Sequence, residues 1–132
     1  MCVSGGVMYA FGNNSCSQLG IRDSSMLKST VPRQVKFARG KQITAIAAGD
    51  EHSACLDSNG NIYTWGNGAY GQLMNAIFED EPHPTAIYNP SEITFSRVRI
   101  HSVRGCCCSI HARLMDGASF FRLHVGTCTL WR

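Results

Sequence analysis

Charge is scarce in these 132 residues: only 16% are Asp, Glu, Lys or Arg, against roughly 25% in an average soluble protein. With 44% of the residues hydrophobic, disorder throughout is excluded. Proline is sparse, four in all, and no apolar run approaches the ~18 residues of a membrane-crossing helix. The start, Met1-Cys2-Val3-Ser4-Gly5-Gly6, lacks a basic region followed by an apolar stretch, so no secretory or membrane route is expected. The seven cysteines (2, 16, 55, 106, 107, 108 and 128) are odd in number and lack framework spacing. They fall short of the ~8–10% that marks a disulfide scaffold. An intracellular, cytoplasmic or nuclear setting is the expectation, and Asn13-Asn14-Ser15 carries no weight as a glycosylation acceptor.

What the chain has in quantity is glycine, thirteen residues, above the usual share of about 7%. Low charge with much glycine suggests tight turns between short strands. The net charge of +3 hides a segregation: six bases stand against Asp23 between 22 and 41, whereas 42–96 holds seven acids and no base. From Arg97 onward there are six arginines, no lysine and one acid, Asp116. Segments of opposite sign attract when packed side by side. No basic helix, zinc finger or aromatic-basic stripe is present for reading nucleic acid.

The chain repeats itself, and a repeat decides the architecture before any single element does. Gly6-Val7-Met8-Tyr9-Ala10-Phe11-Gly12-Asn13 aligns with Gly60-Asn61-Ile62-Tyr63-Thr64-Trp65-Gly66-Asn67 at an offset of 54, and the same offset pairs Gln18-Leu19 with Gln72-Leu73. A second element, Ile43 to Ser53 closing at Gly60, recurs in eroded form as Ile100 to Ser109 closing at Gly117. Ile62 and Thr64 fall on one face and Tyr63 and Trp65 on the other, the period of a β-strand. Ile43–Ala48 and Ser53–Leu56 read likewise, Val35–Phe37 after Pro32 reads as a further strand, and Asp57-Ser58-Asn59-Gly60 reads as a hairpin turn. Four short strands in about 54 residues suit one propeller blade, a unit that buries its faces only against neighbours.

These residues resemble the repeat of the regulator of chromosome condensation family, a β-propeller family. The middle copy carries the resemblance over nearly its full length: Ala48-Gly49-Asp50-Glu51-His52-Ser53, Gly60-Asn61-Ile62-Tyr63-Thr64-Trp65-Gly66 and Gly71-Gln72-Leu73 stand in the family's order. Ser17 and Met74 stand where the family has glycine, Cys108 replaces the third copy's His, and no Trp-Gly follows Phe120-Phe121. The resemblance implies an all-β partial propeller of two to three four-stranded blades, the third degenerate. Residues 1–20 would end a first blade, 33–74 form the central repeat, and 84–132 form the third. About two and a half repeats leave sheet edges that need further blades or another chain. Gly12, Gly49, Gly60, Trp65, Gly66 and Gly71 take structural roles. In family members that act as exchange factors for the small GTPase Ran, acidic and histidine residues of the Ala-Gly-x-x-His loops meet the GTPase; the matching positions are Asp50 and His52. A protein-interaction scaffold, linked to nucleotide exchange and without covalent chemistry or cofactor, is what the resemblance implies.

Two other chemistries have matching residues. Gly66-Asn67-Gly68-Ala69-Tyr70-Gly71 satisfies Gly-x-Gly-x-x-Gly, and Gln72–Glu81 has the length of a helix, the alternative being a nucleotide-binding α/β enzyme. Against it, Glu79-Asp80-Glu81 come too soon for the ribose-binding acid, and the first copy has Asn14 and Ser17 in place of Gly68 and Gly71. Cys106, Cys108 and His111 invite a metal reading. Adjacent strand residues point to opposite faces, however, and the plainer reading is small, soft side chains in a buried strand, with no metal.

Overall fold

A computed structural model describes residues 1–23, 25–37, 40–75, 78–87, 94–103, 107–114, 120–124 and 127–131, with side chains up to Arg99. Every regular element in it is a strand. The first sheet contains β1 (Cys2–Ser4), β2 (Val7–Asn13) and β3 (Lys28–Gln34) in spatial order β1-β2-β3. The second contains β4 (Ile43–Ala48), β5 (His52–Asp57), β6 (Ile62–Gly66) and β7 (Glu81–Ala86), in chain order. The third runs through β8 (Phe95–Val103), β9 (Cys107–Leu114), β10 (Phe120–His124) and β11 (Thr127–Trp131). All pairings are antiparallel. No helix among the described residues is long and apolar enough to cross a membrane.

The period-2 pattern of the middle unit is explained by what lies on its two faces. Cys55, Tyr63 and Trp65 pack with Met8, Ala10, Leu19 and Val35 of the first unit. Ala54, Leu56 and Ile62 turn the other way and pack with Phe95 and Val98 of β8. β5 and β6 are therefore buried on both faces, residue after residue. Each sheet is a blade, and the two apolar layers are the inter-blade contacts that the repeat predicts.

The 54-residue offset is reproduced bond by bond. Ser17 N–H donates to the Asn14 carbonyl and Gly71 N–H to that of Gly68, while Gly20 N–H donates to Ser17 and Met74 N–H to Gly71. Asn13 Oδ1 takes the Ser15 N–H as Asn67 Oδ1 takes that of Ala69, and Gln18 Oε1 takes the Cys16 N–H as Gln72 Oε1 takes that of Tyr70. The two units meet their successors alike, through Ile43 N–H to the Gly6 carbonyl and Phe95 N–H to the Gly60 carbonyl.

Backbone angles follow the same register. Ser17 (φ 59°) occupies the left-handed position of Gly71 (73°), and Met74 (59°) that of Gly20 (65°). A side chain there costs roughly 1–2 kcal/mol. Ser17→Gly should therefore stabilise the chain by about 0.5–1 kcal/mol, less than the relief because glycine also gains unfolded-state freedom. Met74→Gly should gain nothing, since Met74 packs on the second apolar layer. Urea midpoints of the two variants check this, and an unchanged Ser17→Gly midpoint would show that the turn carries no strain.

One strand lies elsewhere than expected. The edge strand is Lys28–Gln34, and it ends where Val35–Phe37 was expected to begin. Pro32 sits inside it because β3 is an edge strand whose register shifts opposite β2 between Ala10 and Gly12, the setting in which a missing N–H is tolerated. Val35 serves as a single buried anchor, its N–H donating to the Met8 carbonyl at 2.9 Å. Pro82 and Pro84 repeat the arrangement on the outer strand β7, whose register also shifts. Gly117, expected to close the third copy, lies outside the described residues.

Candidate functional site

The loops that join strands at one end of the middle blade are fixed by the junction beneath them. Trp65 is 0% exposed and donates its indole Nε1–H to the Gln18 carbonyl at 2.9 Å. Ser53 Oγ donates to the same carbonyl at 2.7 Å. One main-chain oxygen of the first unit thus accepts two donors from the second. Gly66 (φ 103°) closes the junction from above; a Cβ there would run into the Glu51 carbonyl and lie 2.8 Å from the His52 Cα. Any other residue would push the 49–51 loop off the blade.

That loop carries Asp50, and His52 follows it at the start of β5. Gly49 N–H donates to the His52 carbonyl at 2.9 Å, which makes the turn. Gln18 Nε2 holds the Asp50 carbonyl at 3.4 Å. The Glu51 carbonyl accepts the Asn67 N–H, and its carboxylate Oε2 accepts Asn67 Nδ2–H, both at 2.9 Å. The Asp50 side chain is left exposed at the tip.

His52 lies underneath, 2% exposed, with Nδ1 about as close as 3.0 Å to where a Cβ on Gly49 would stand. Its Nε2 has no hydrogen-bond partner among the described residues. Burial depresses the imidazole pKa and outweighs the opposing pull of Asp50. The structure therefore separates the two predicted residues by depth: Asp50 faces outward, and His52 is part of its foundation.

From sequence Asp57 reads only as the first residue of a hairpin turn. It is 2% exposed at the opposite end of β5, where Oδ1 accepts the backbone N–H groups of Asn59 and Asn61 at 2.9 Å each. Oδ2 accepts Asn61 Nδ2–H at 3.0 Å and the Tyr63 hydroxyl at 3.1 Å, with Lys41 Nζ at 3.4 Å. Burial works against its ionisation, but the Asn61, Tyr63 and Asn59 donors prevail and hold the carboxyl below its ordinary range. The alternation Asp57-x-Asn59-x-Asn61-x-Tyr63 was the available signal, because each partner follows at a spacing of two. Gly60, between them, has φ 81°.

The Gly66–Gly71 loop does not cradle phosphate. It joins β6 to its antiparallel neighbour β7, and its amides are already engaged. Gly68 N–H donates to Asp80 Oδ1 at 3.0 Å, Ala69 N–H to Asn67 Oδ1, Tyr70 N–H to Gln72 Oε1, and Gly71 N–H to the Gly68 carbonyl. A phosphate would find no free amide nest and an adjacent carboxylate. Residues 72 and 73 form a turn, 75 and 79 are bends, and none of 72–75 or 78–80 is helical, so the glycine run is a turn of the repeat and not the loop of an α/β nucleotide-binding enzyme. The side chains of Cys106, Cys108 and His111 lie outside the described residues.

Comparison with known proteins agrees with this geometry. The family model described as "Regulator of chromosome condensation (RCC1) repeat" matches residues 5–56 and 59–109, and a second of the same description matches 43–72. The human E3 ubiquitin-protein ligase HERC2 is 36% identical over 84 residues, covering 64% of this chain and 2% of its own length. Among solved structures, yeast RCC1 (Prp20) bound to Kap60 superposes with a TM-score of 0.73 at 20% identity, over 91% of this chain and 28% of that one. Prp20p from Saccharomyces cerevisiae, crystallised and characterised for binding to Gsp1p and histones, gives 0.64 at 17% identity over 96% of this chain. The chain thus spans a small part of the proteins it matches, about a third or less of each.

Proposed function

Because the chain belongs to the regulator of chromosome condensation (RCC1) repeat family, we propose that it is a protein-interaction scaffold whose 49–51 loop presents Asp50 to a partner protein, a small GTPase of the Ran type. The observation that carries this is the separation by depth: an exposed carboxylate on a loop tied down at Gln18, His52 and Asn67. A side chain held on rigid elements loses little freedom on binding. His52 acts as a positioning residue beneath it.

Exchange on such a partner needs no covalent step. An anion brought against a nucleotide site competes with the phosphates for the cations that hold them, Mg²⁺ included, and so promotes release. A solved neighbour characterised for binding to Gsp1p and histones supports protein partners for this blade architecture. A scaffold with that partner would act in the cytoplasm or nucleus.

Release of a labelled guanine nucleotide from a Ran-type GTPase, with the full chain added, is the test. We expect acceleration by the native chain and about a tenfold smaller effect for Asp50→Ala, the size of one well-placed charged contact. His52→Gln should weaken binding of the GTPase through the loop, seen as altered proteolytic sensitivity at 49–51. If release is unchanged by the native chain while a competent exchange factor run alongside accelerates it, the exchange reading is wrong.

A further inference from the structure

Next to the Asp50 loop, the same end of the middle blade exposes two aromatic rings. Tyr70 is 52% and Phe78 65% exposed, and both sit at Gly71: Phe78 Cε1 lies 3.0 Å from where a Cβ on that glycine would stand, and Tyr70 is its chain neighbour. The segment bearing Phe78 is fastened to the turn, because Gly68 packs directly against the Glu79 carbonyl and donates to Asp80 Oδ1. The rings therefore belong to an ordered surface.

The charged residues of the two loops at this end, 49–51 and 67–80, are all acidic. Glu51, Glu79 and Asp80 are exposed and have no ion-pair partner among the described residues. Glu51 is joined to this surface through Asn67, which in turn accepts Gln72 Nε2–H at 2.9 Å. The sequence from 42 to 96 contains no lysine or arginine that could neutralise them.

Aromatic faces beside unpaired carboxylates suit one kind of side chain. A guanidinium stacks on a ring face and at the same time donates in its plane to a carboxylate, whereas an ammonium is a strongly hydrated point charge that gains less from the ring. We propose that Tyr70 and Phe78, with Glu51, Glu79 and Asp80 around them, form a docking surface for an arginine-rich segment of a partner protein. The inference goes beyond the exchange reading, since it uses different side chains and requires no GTPase.

Fluorescence anisotropy of the full chain with a labelled peptide of about ten residues alternating Arg and Gly, at physiological ionic strength, tests this against the matched Lys-Gly peptide. We expect saturable binding that is tighter for the arginine peptide. The double variant Tyr70→Ser/Phe78→Ser should bind it about tenfold more weakly, the sum of two exposed cation–π contacts, and lose the preference for arginine. Both rings are exposed, so circular dichroism should be unchanged. Asp50→Ala should keep the preference for the arginine peptide over the lysine one, which separates the ring contacts from the exchange site. The proposal is overturned if no saturable binding occurs, or if the double variant binds as well as the native chain. It is also overturned if sedimentation shows a dimer that the double variant abolishes, because the occupant is then a second copy.

Discussion

Replacing Trp65 by alanine should cost about 3–5 kcal/mol, the range for truncating a fully buried aromatic, and should leave little of the folded chain under ordinary conditions. The loss has three sources. The cavity opens between two blades, since the ring packs with Met8, Ala10 and Leu19 on one side of the junction and Cys55 and Tyr63 on the other. The edge contact with Phe37, whose centroid is 6.3 Å away, disappears. The Gln18 carbonyl keeps only the Ser53 hydroxyl.

Trp65→Phe separates these sources. It keeps most of the apolar volume and removes the indole N–H, so it should cost about 1 kcal/mol for the lost hydrogen bond plus a small packing deficit. Phenylalanine already stands at the equivalent position, Phe11, which is 46% exposed. Urea unfolding followed by far-ultraviolet circular dichroism measures both variants. A Trp65→Ala chain within about 1 kcal/mol of the native one would mean that the blade junction is not where stability resides.

The second large effect is at Asp57. Asp57→Ala should cost about 3 kcal/mol, because it leaves the Asn61 amide, the Tyr63 hydroxyl and two backbone N–H groups without their common acceptor. A pH dependence follows from the depressed carboxyl pKa. The unfolded chain takes up a proton first, so the stabilisation is fully present above about pH 3.9 and is lost as pH falls through the folded value.

His52 adds a loss in a different window. Its folded pKa lies below the ordinary one, so the unfolded chain again binds the proton first, and stability declines as pH drops below about 6.5. Urea midpoints from pH 7 to 3 should therefore fall in two stages. Asp57→Asn should flatten only the lower stage, and His52→Gln only the upper. A native profile without a step below pH 4 would contradict the Asp57 assignment.

The ladder of strands in the middle unit was legible because glycine and aromatic positions recur at a fixed offset and the apolar period is two. That pattern also foretold two buried faces, once each was given a neighbouring blade. Other features were hidden for definite physical reasons. The strand expected after Pro32 in fact runs through it, because an edge position and a register shift tolerate the missing N–H. Asp57 looked like a surface turn because burial of an acid depends on donors that fold back from Asn61 and Tyr63, and composition does not show folding back. Asp50 and His52 could be paired by motif, but their difference in depth is set by the close approach at Gly66 and the packing under Gly49, which only coordinates express.

The double acceptor at the Gln18 carbonyl also sets how far damage spreads. It links one unit to the next and to no other, and the Gly6–Ile43 and Gly60–Phe95 bonds do the same. Coupling of that kind is nearest-neighbour only. A lesion in one blade is felt by the adjoining blade and attenuates beyond it, so the architecture confines its faults in the way that bulkheads confine flooding. Surface loops at one blade end, such as 49–51 and 67–75, are accordingly free to diverge in recognition without the rest of the array having to be rebuilt.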